Sequence, residues 1–232
     1  MHGDRTALYA CGWIKRYGQL QTLLDECEGR GEFERSAALA VWHGDLNSCV
    51  LALQRGAEDV RELVEEGHAD TPYSMNKYSE TLSLIAMCVA GFNVKAANDG
   101  TMRTTTLWSS ACDNLLQRPD MISAEDSTSS VQLPGVSYLR AILIFLQNIG
   151  NVDYNKTIYD RGLSLADRVG FACRFLPRAD LHSFLDTSIK RCIEFGNLEG
   201  LLITGLDKRG IALLQSYVDI YSDVQTAALI SW

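Results

Sequence analysis

Apolar residues recur along this chain with the spacing of one face of an α-helix, and that periodicity limits the fold more than any other feature. Leu20, Leu23, Leu24 and Cys27 stand at i, i+3, i+4 and i+7, as do Leu46, Cys49, Val50 and Leu53. The spacing returns at Leu82, Ile85, Ala86 and Val89, at Leu139, Ile142, Leu143 and Leu146, and at Val169, Ala172, Cys173 and Leu176. Leu181, Phe184, Leu185, Ile189 and Cys192 extend it further. Residues three and four apart share one side of a helix, whereas a half-buried strand alternates with period two. No stretch alternates comparably, so the sequence predicts an all-α chain.

The breaks between these segments are short. In Ala40-Val-Trp-His-Gly44-Asp45, Gly44 can take the left-handed conformation that ends one helix while Asp45 caps the next. Pro177 stops a helix, and Asp180 is the expected cap of the one that follows. Hairpin after hairpin without a fixed repeat length predicts an irregular α-solenoid of stacked antiparallel helical hairpins, one unit over residues 1–232. Residues 67–78 (GHADTPYSMNKY) and 119–135 (PDMISAEDSTSSVQLPG) are rich in turn formers and are expected as surface loops. Glu58 to Glu66 reads as an acidic helix with a thin stripe at Val60, Leu63 and Val64, its charges facing water.

One stretch raises a catalytic question. Gly200-Leu-Leu-Ile-Thr-Gly205-Leu-Asp-Lys-Arg-Gly210 has the glycine spacing of a phosphate-binding loop. Such a loop places Lys and then Ser or Thr after its second glycine, but Leu206 and Asp207 stand there, and a carboxylate repels phosphate. The stretch reads instead as a buried helix from Leu198 to Thr204, a terminator at Gly205 and a returning helix from Ile211 to Tyr221. Ser222-Asp223 then opens a last helix running into Trp232.

Composition narrows the function classes. With 47% hydrophobic residues, 232 residues can bury a sizeable core, and a net charge of −8 gives nucleic acid no electrostatic reason to bind. The seven cysteines, at 11, 27, 49, 88, 112, 173 and 192, form no CxxC pair and fall mostly in apolar stripes, as reduced buried thiols do. No metal, cofactor or disulfide is expected. Asn155-Lys-Thr157 is a formal glycosylation sequon, but Met1-His2-Gly3-Asp4 opens no signal peptide, and no apolar run reaches membrane-spanning length. Of the four histidines, His2 and His68 fall in a terminus and a polar loop. His43 suits a helix end, and His182 with Cys173 makes only a remote nucleophile pair. Glu62, Glu65 and Glu66 have no pocket to make them an acid/base set, and Trp13, Trp42, Trp108 and Trp232 read as packing residues. No catalytic residue emerges.

Particular runs carry a resemblance. Asp167-Arg-Val-Gly-Phe-Ala-Cys-Arg-Phe-Leu176, Gly196-Asn-Leu-Glu-Gly200 through Leu206, Ser216-Tyr-Val-Asp219 and Asp223-Val-Gln-Thr-Ala227 resemble the α-solenoid of the Mio (missing oocyte) family. Cys11-Gly-Trp-Ile-Lys15 and Phe33-Glu-Arg-Ser-Ala-Ala38 are similar to it as well. The likeness is dense after residue 165 and sparse between 57 and 135. Members are the Mios subunit of the animal GATOR complex and the fourth subunit of the yeast SEA complex. They carry a β-propeller before the solenoid and a zinc-binding RING-like module after it, and this chain shows neither. The resemblance implies a non-catalytic scaffold in a nutrient-sensing complex that regulates TORC1 at the cytosolic face of the vacuole or lysosome. Its implied partners are Seh1-type β-propellers and other propeller-solenoid-RING subunits, with no nucleic acid and no direct membrane insertion. A vesicle-coat or nuclear-pore type solenoid, or an all-α enzyme, are the alternatives. In the last helix Val224, Ala227, Ala228 and Ser231 share a face that Leu229, Ile230 and Trp232 widen. Val224, Ala227, Leu229, Ile230 and Trp232 are therefore the candidate interaction residues, with weak self-association expected through them.

Overall fold

A computed structural model describes residues 5–14, 20–66, 72–92, 102–118, 121, 135–149 and 154–231. Among them are thirteen α-helices, a 3-10 turn and no strand, as the periodicity requires. Contacts divide the chain into two units: a continuous one, Lys15–Leu163, and a discontinuous one, Met1–Ile14 with Ser164–Trp232.

The continuous unit holds α2 (Leu20–Glu28), α3 (Phe33–His43), α4 (Leu46–Glu65), α5 (Pro72–Ala90), α6 (Met102–Leu116), α7 (Val136–Gln147) and α8 (Asn155–Ile158). Its centre is α3, where every residue from Ser36 to Trp42 is buried. Ala37, Ala38 and Ala40 keep the helix slim enough for α2, α4 and α7 to pack on different sides of it. Gly44, at φ 86°, ends α3, and the Asp45 carboxylate accepts from Ser48 N at 3.0 Å to start α4. Gly56 leaves room within α4 for the Phe33 ring, since a Cβ there would lie 2.8 Å from Phe33 Cβ. Glu28 joins three helices by accepting from Arg55 at 2.7 and 2.8 Å and from the Ser36 hydroxyl at 3.0 Å.

One expectation is corrected in this unit, and another falls almost wholly outside the described residues. The loop expected over 67–78 is helical from Pro72 onward, because proline suits the first helical position, and Tyr78 and Ser79 are buried. Residues 67–71 lie outside the described residues. In 119–135, Met121 is fully buried with its carbonyl accepting from Arg140 at 2.7 Å, and Gly135 begins α7; the remainder lies outside the described residues. The Val60–Leu63–Val64 stripe of α4 is only partly covered.

The discontinuous unit is built from α1 (Arg5–Ala10) with α9 (Leu165–Phe175), α10 (Arg178–Phe195), a 3-10 turn (Leu198–Gly200), α11 (Leu201–Thr204), α12 (Lys208–Tyr221) and α13 (Val224–Ser231). Trp13, after α1, donates from Nε1 to Asp167 Oδ1 at 3.0 Å in the interior. Asp167 also accepts from the Ser164 hydroxyl at 2.8 Å, while Ser164 Oγ accepts from Asp167 N and caps α9. Gly170 makes the notch for the indole, because a Cβ there would fall 2.6 Å from Trp13 Cε2 and Nε1. Asp180 does not cap α10; Pro177 holds the N-cap position, and Asp180 lies in the first turn, where a carboxylate still complements the helix dipole. The span expected as one buried helix, Leu198–Thr204, is a 3-10 turn and a single α-turn in which only Gly200 and Thr204 are buried. Gly200 is needed there, because a Cβ would meet Cys192 Cβ at 2.6 Å.

Two outcomes follow from this packing. Gly170→Ala drives a methyl into the Trp13 indole and is expected to destabilise by about 1–3 kcal/mol, read as a lower urea midpoint; an unchanged midpoint would show that the notch is slack. The second concerns Glu34 in α3, whose carboxylate accepts from the Tyr78 hydroxyl inside the unit. Burial raises its pKa, and the Tyr78 hydrogen bond opposes this more weakly. The fold therefore favours protonated Glu34, an advantage present below the unfolded value of about 4.3 and lost as pH rises through the folded value. Glu34→Gln keeps an acceptor for Tyr78 but cannot ionise. Its stability relative to the parent is expected to increase between pH 4 and pH 7, and a constant difference would contradict the sign.

Candidate interaction surface

Helix α12 starts where the phosphate question arose. Asp207 Oδ1 accepts from Arg209 N at 2.8 Å and Gly210 N at 2.9 Å, so a carboxylate already occupies the amides that an incoming phosphate would use. Those bonds, led by the one from Gly210, hold the Asp207 carboxyl below its ordinary range. A Cβ on Gly210 would lie 2.0 Å from Gly205 O, which shows how closely the preceding turn approaches the helix. Among the described residues no group of three or more His, Cys, Asp or Glu is placed to hold a metal.

The inner side of α12 is Gly210, Leu213 and Leu214, packed toward α10. Its C-terminal end is pinned: Tyr217 donates to Asp223 Oδ2 at 2.9 Å, Asp223 Oδ1 accepts from Thr226 N at 3.0 Å, and Ser216 donates to Ile193 O. Tyr221 reaches Phe195 O at 3.4 Å, and Ile220 Cδ1 lies against the turn at Gly196. This rigid junction brings Phe195, Ile220, Tyr221 and Val224 together, each at least half exposed. Half of four such side chains presents on the order of 400 Å², comparable to the largest apolar patch of an ordinary monomer, which is often functional. The Arg191 guanidinium covers the Phe195 ring at 5.7 Å, a polar rim of the kind interfaces carry.

The sequence-derived candidates separate within α13. Val224 is 62% exposed and Leu229 78%, so both are presented. Ala227, at 8%, is the residue with which α13 faces its own unit, and Ile230 is intermediate. Trp232 lies outside the described residues, as do His2 and His68. His43 ends α3 with Nδ1 2.8 Å from Leu39 O. His182 is exposed, and Cys173 is only partly buried. Trp13 and Trp42 are core residues, whereas Trp108 packs at the surface of its unit against Phe92 at 5.0 Å.

Sequence reasoning missed Phe195, Ile220 and Tyr221. The signal for Ile220 and Tyr221 is that α12 has more apolar residues than its one inner stripe, Leu213 and Leu214, can use. It also missed that two cysteines from different helices meet, Cys88 of α5 and Cys112 of α6. The position of Asp207 leads to an expected result by titration calorimetry: no heat of binding from ATP or GTP with Mg²⁺. The Asp207→Ala chain is expected to lose helix content at α12 and still bind no nucleotide.

The family described as "MIOS, alpha-solenoid" matches residues 2–175. Over 229 residues the chain is 31% identical to the GATOR2 complex protein MIOS of Dictyostelium discoideum, covering 96% of this chain and 19% of that protein. It is 32% identical to the GATOR2 complex protein MIOS-A of Xenopus laevis, over 96% of this chain and 21% of the relative. It is likewise 32% identical to the SEH-associated protein 4 of Saccharomyces cerevisiae, over 98% of this chain and 18% of the relative. The chain thus spans about a fifth of the length of these relatives.

Proposed function

The chain belongs to the MIOS family, within its α-solenoid, and from that membership we propose that it is a non-catalytic scaffold segment of a GATOR/SEA-type complex. The observation that carries this reading is similarity over nearly the whole chain to subunits named for such complexes, in a slime mould, a frog and a yeast. The all-α architecture supports it, since stacked helices offer long surfaces to neighbours. In this reading the complex regulates TORC1 signalling in response to amino acids at the cytosolic face of the vacuole or lysosome. The neighbours are a Seh1-type β-propeller and other propeller-solenoid-RING subunits. No described helix is long and apolar enough to cross a membrane. The patch at Phe195, Ile220, Tyr221 and Val224, continued by Leu229, is the surface through which the segment meets a neighbour, and without one it self-associates weakly.

The test is assembly. Val224→Glu with Leu229→Glu changes two exposed side chains and is expected to leave helicity and melting unaltered. In cells lacking the endogenous subunit, a full-length protein carrying the pair is expected to recover at least about tenfold less of its partner subunits, the loss of about 1.4 kcal/mol or more of binding. In the isolated chain the same pair is expected to abolish concentration-dependent light scattering. Full recovery of partners by the double variant would remove the patch from the assembly.

A further inference from the structure

Helices α5 and α6 meet at a narrow, well-determined place. The Trp108 indole of α6 donates to the carbonyl of Cys88 in α5 at 2.8 Å, and its ring lies 5.0 Å from that of Phe92. Cys112 stands one helical turn beyond Trp108 in α6, the same helix whose indole bonds the Cys88 carbonyl. The two thiols lie within interaction reach of each other. Their surroundings differ: Cys112 is fully buried, whereas Cys88 remains partly open to solvent.

We propose that Cys88 and Cys112 are an oxidation site, a vicinal dithiol across α5 and α6 in which Cys88 meets a hydroperoxide and Cys112 resolves it. The Cys88 thiolate attacks the terminal oxygen of the hydroperoxide and the O–O bond breaks. The leaving alkoxide takes the thiol's proton to become an alcohol, and Cys88 becomes a sulfenic acid. The Cys112 sulfur then attacks the Cys88 sulfur, the S–O bond breaks, and hydroxide leaves as water with the proton of Cys112. Two thiols and one hydroperoxide give one disulfide, one alcohol and one water.

Selectivity follows from the same geometry. The neighbouring Cys112 thiol favours the Cys88 thiolate and lowers its pKa, while Cys112 itself is held up by Cys88 and by burial. Burial raises the thiols of Cys11, Cys27, Cys49 and Cys192, which keeps them as unreactive thiols. Oxidation would fasten α5 to α6 covalently beside the contact the indole already makes.

Trypsin separates the two sulfurs, placing Cys88 in the peptide 78–95 and Cys112 in 104–140, since Arg118 precedes Pro119. The folded 232-residue chain is treated with graded hydrogen peroxide, alkylated, digested and mapped by mass. The expected result is joint loss of the two alkylated peptides and appearance of their cross-linked form, reversed by dithiothreitol, before any other cysteine is modified. In Cys112→Ser, Cys88 is expected to stop at the sulfenic acid and be trapped by dimedone. The proposal is overturned if both peptides stay alkylated at doses that oxidise other cysteines, or if Cys88 cross-links to several cysteines alike. Mapping the unaltered chain decides the matter even where the variant fails to fold.

Discussion

The hydrogen bond from the Trp13 indole to the Asp167 carboxylate joins residues 154 positions apart, and the discontinuous unit depends on it. Neither stretch forms that unit alone, because α1 has six residues, too few to be stable without packing. Its partner α9 exposes a notch at Gly170 that only a flat ring fills. Asp167 is completely buried, so its donors from Trp13 and Ser164 are what make that burial tolerable. The motif Ser164-x-x-Asp167 therefore serves twice, starting α9 and presenting the acceptor that receives Trp13.

In the continuous unit the organising element is a helix with small side chains on several sides. Because α3 carries Ala37, Ala38 and Ala40, three neighbours approach it, and polar groups at its edges are drawn into the packing. Glu28 and Glu34 show two solutions to that constraint: the first is met by Arg55 and Ser36, the second by the Tyr78 phenol, its own backbone amide and a raised pKa. The discontinuous unit differs in leaving its last two helices thinly covered. Only Ala227 of α13 is buried among its described side chains, Ile230 is partly covered, and Val224 and Leu229 stay exposed. The junction at Tyr217 and Asp223 thus holds side chains that the unit's own core does not use.

Much of this was legible where a local cause fixes the structure. The 3,4 spacing marked α2, α4, α5, α7, α9 and α10, and Gly44-Asp45 announced both a stop and a start, because each cap is a bond between near neighbours. Asp180 misled because proline can hold the N-cap position without a side-chain bond, leaving the acid to the first turn. Composition alone suggests a loop at 67–78, yet Pro72 is itself a helix starter and Tyr78 finds a distant carboxylate. Ala227 and Leu229 could not be separated in advance, since which side of a short, wholly uncharged helix turns inward depends on the helix before it. The meeting of Cys88 and Cys112, and the closure of residues 5–14 onto 164–231, are decided by tertiary contact alone and leave no trace in spacing.

The discontinuous unit also orders events during synthesis. Trp13 leaves the ribosome 154 residues before Asp167 does, a delay of about 8–30 s at ordinary elongation rates. Through that interval the intervening unit has all of its own chain and can fold, while an indole and the apolar side of α1 wait in solvent for a partner not yet made. The segment around Trp13, made before the rest of its unit, is thus among the last to be placed, and its apolar surface is what a chaperone bound to the nascent chain would meet.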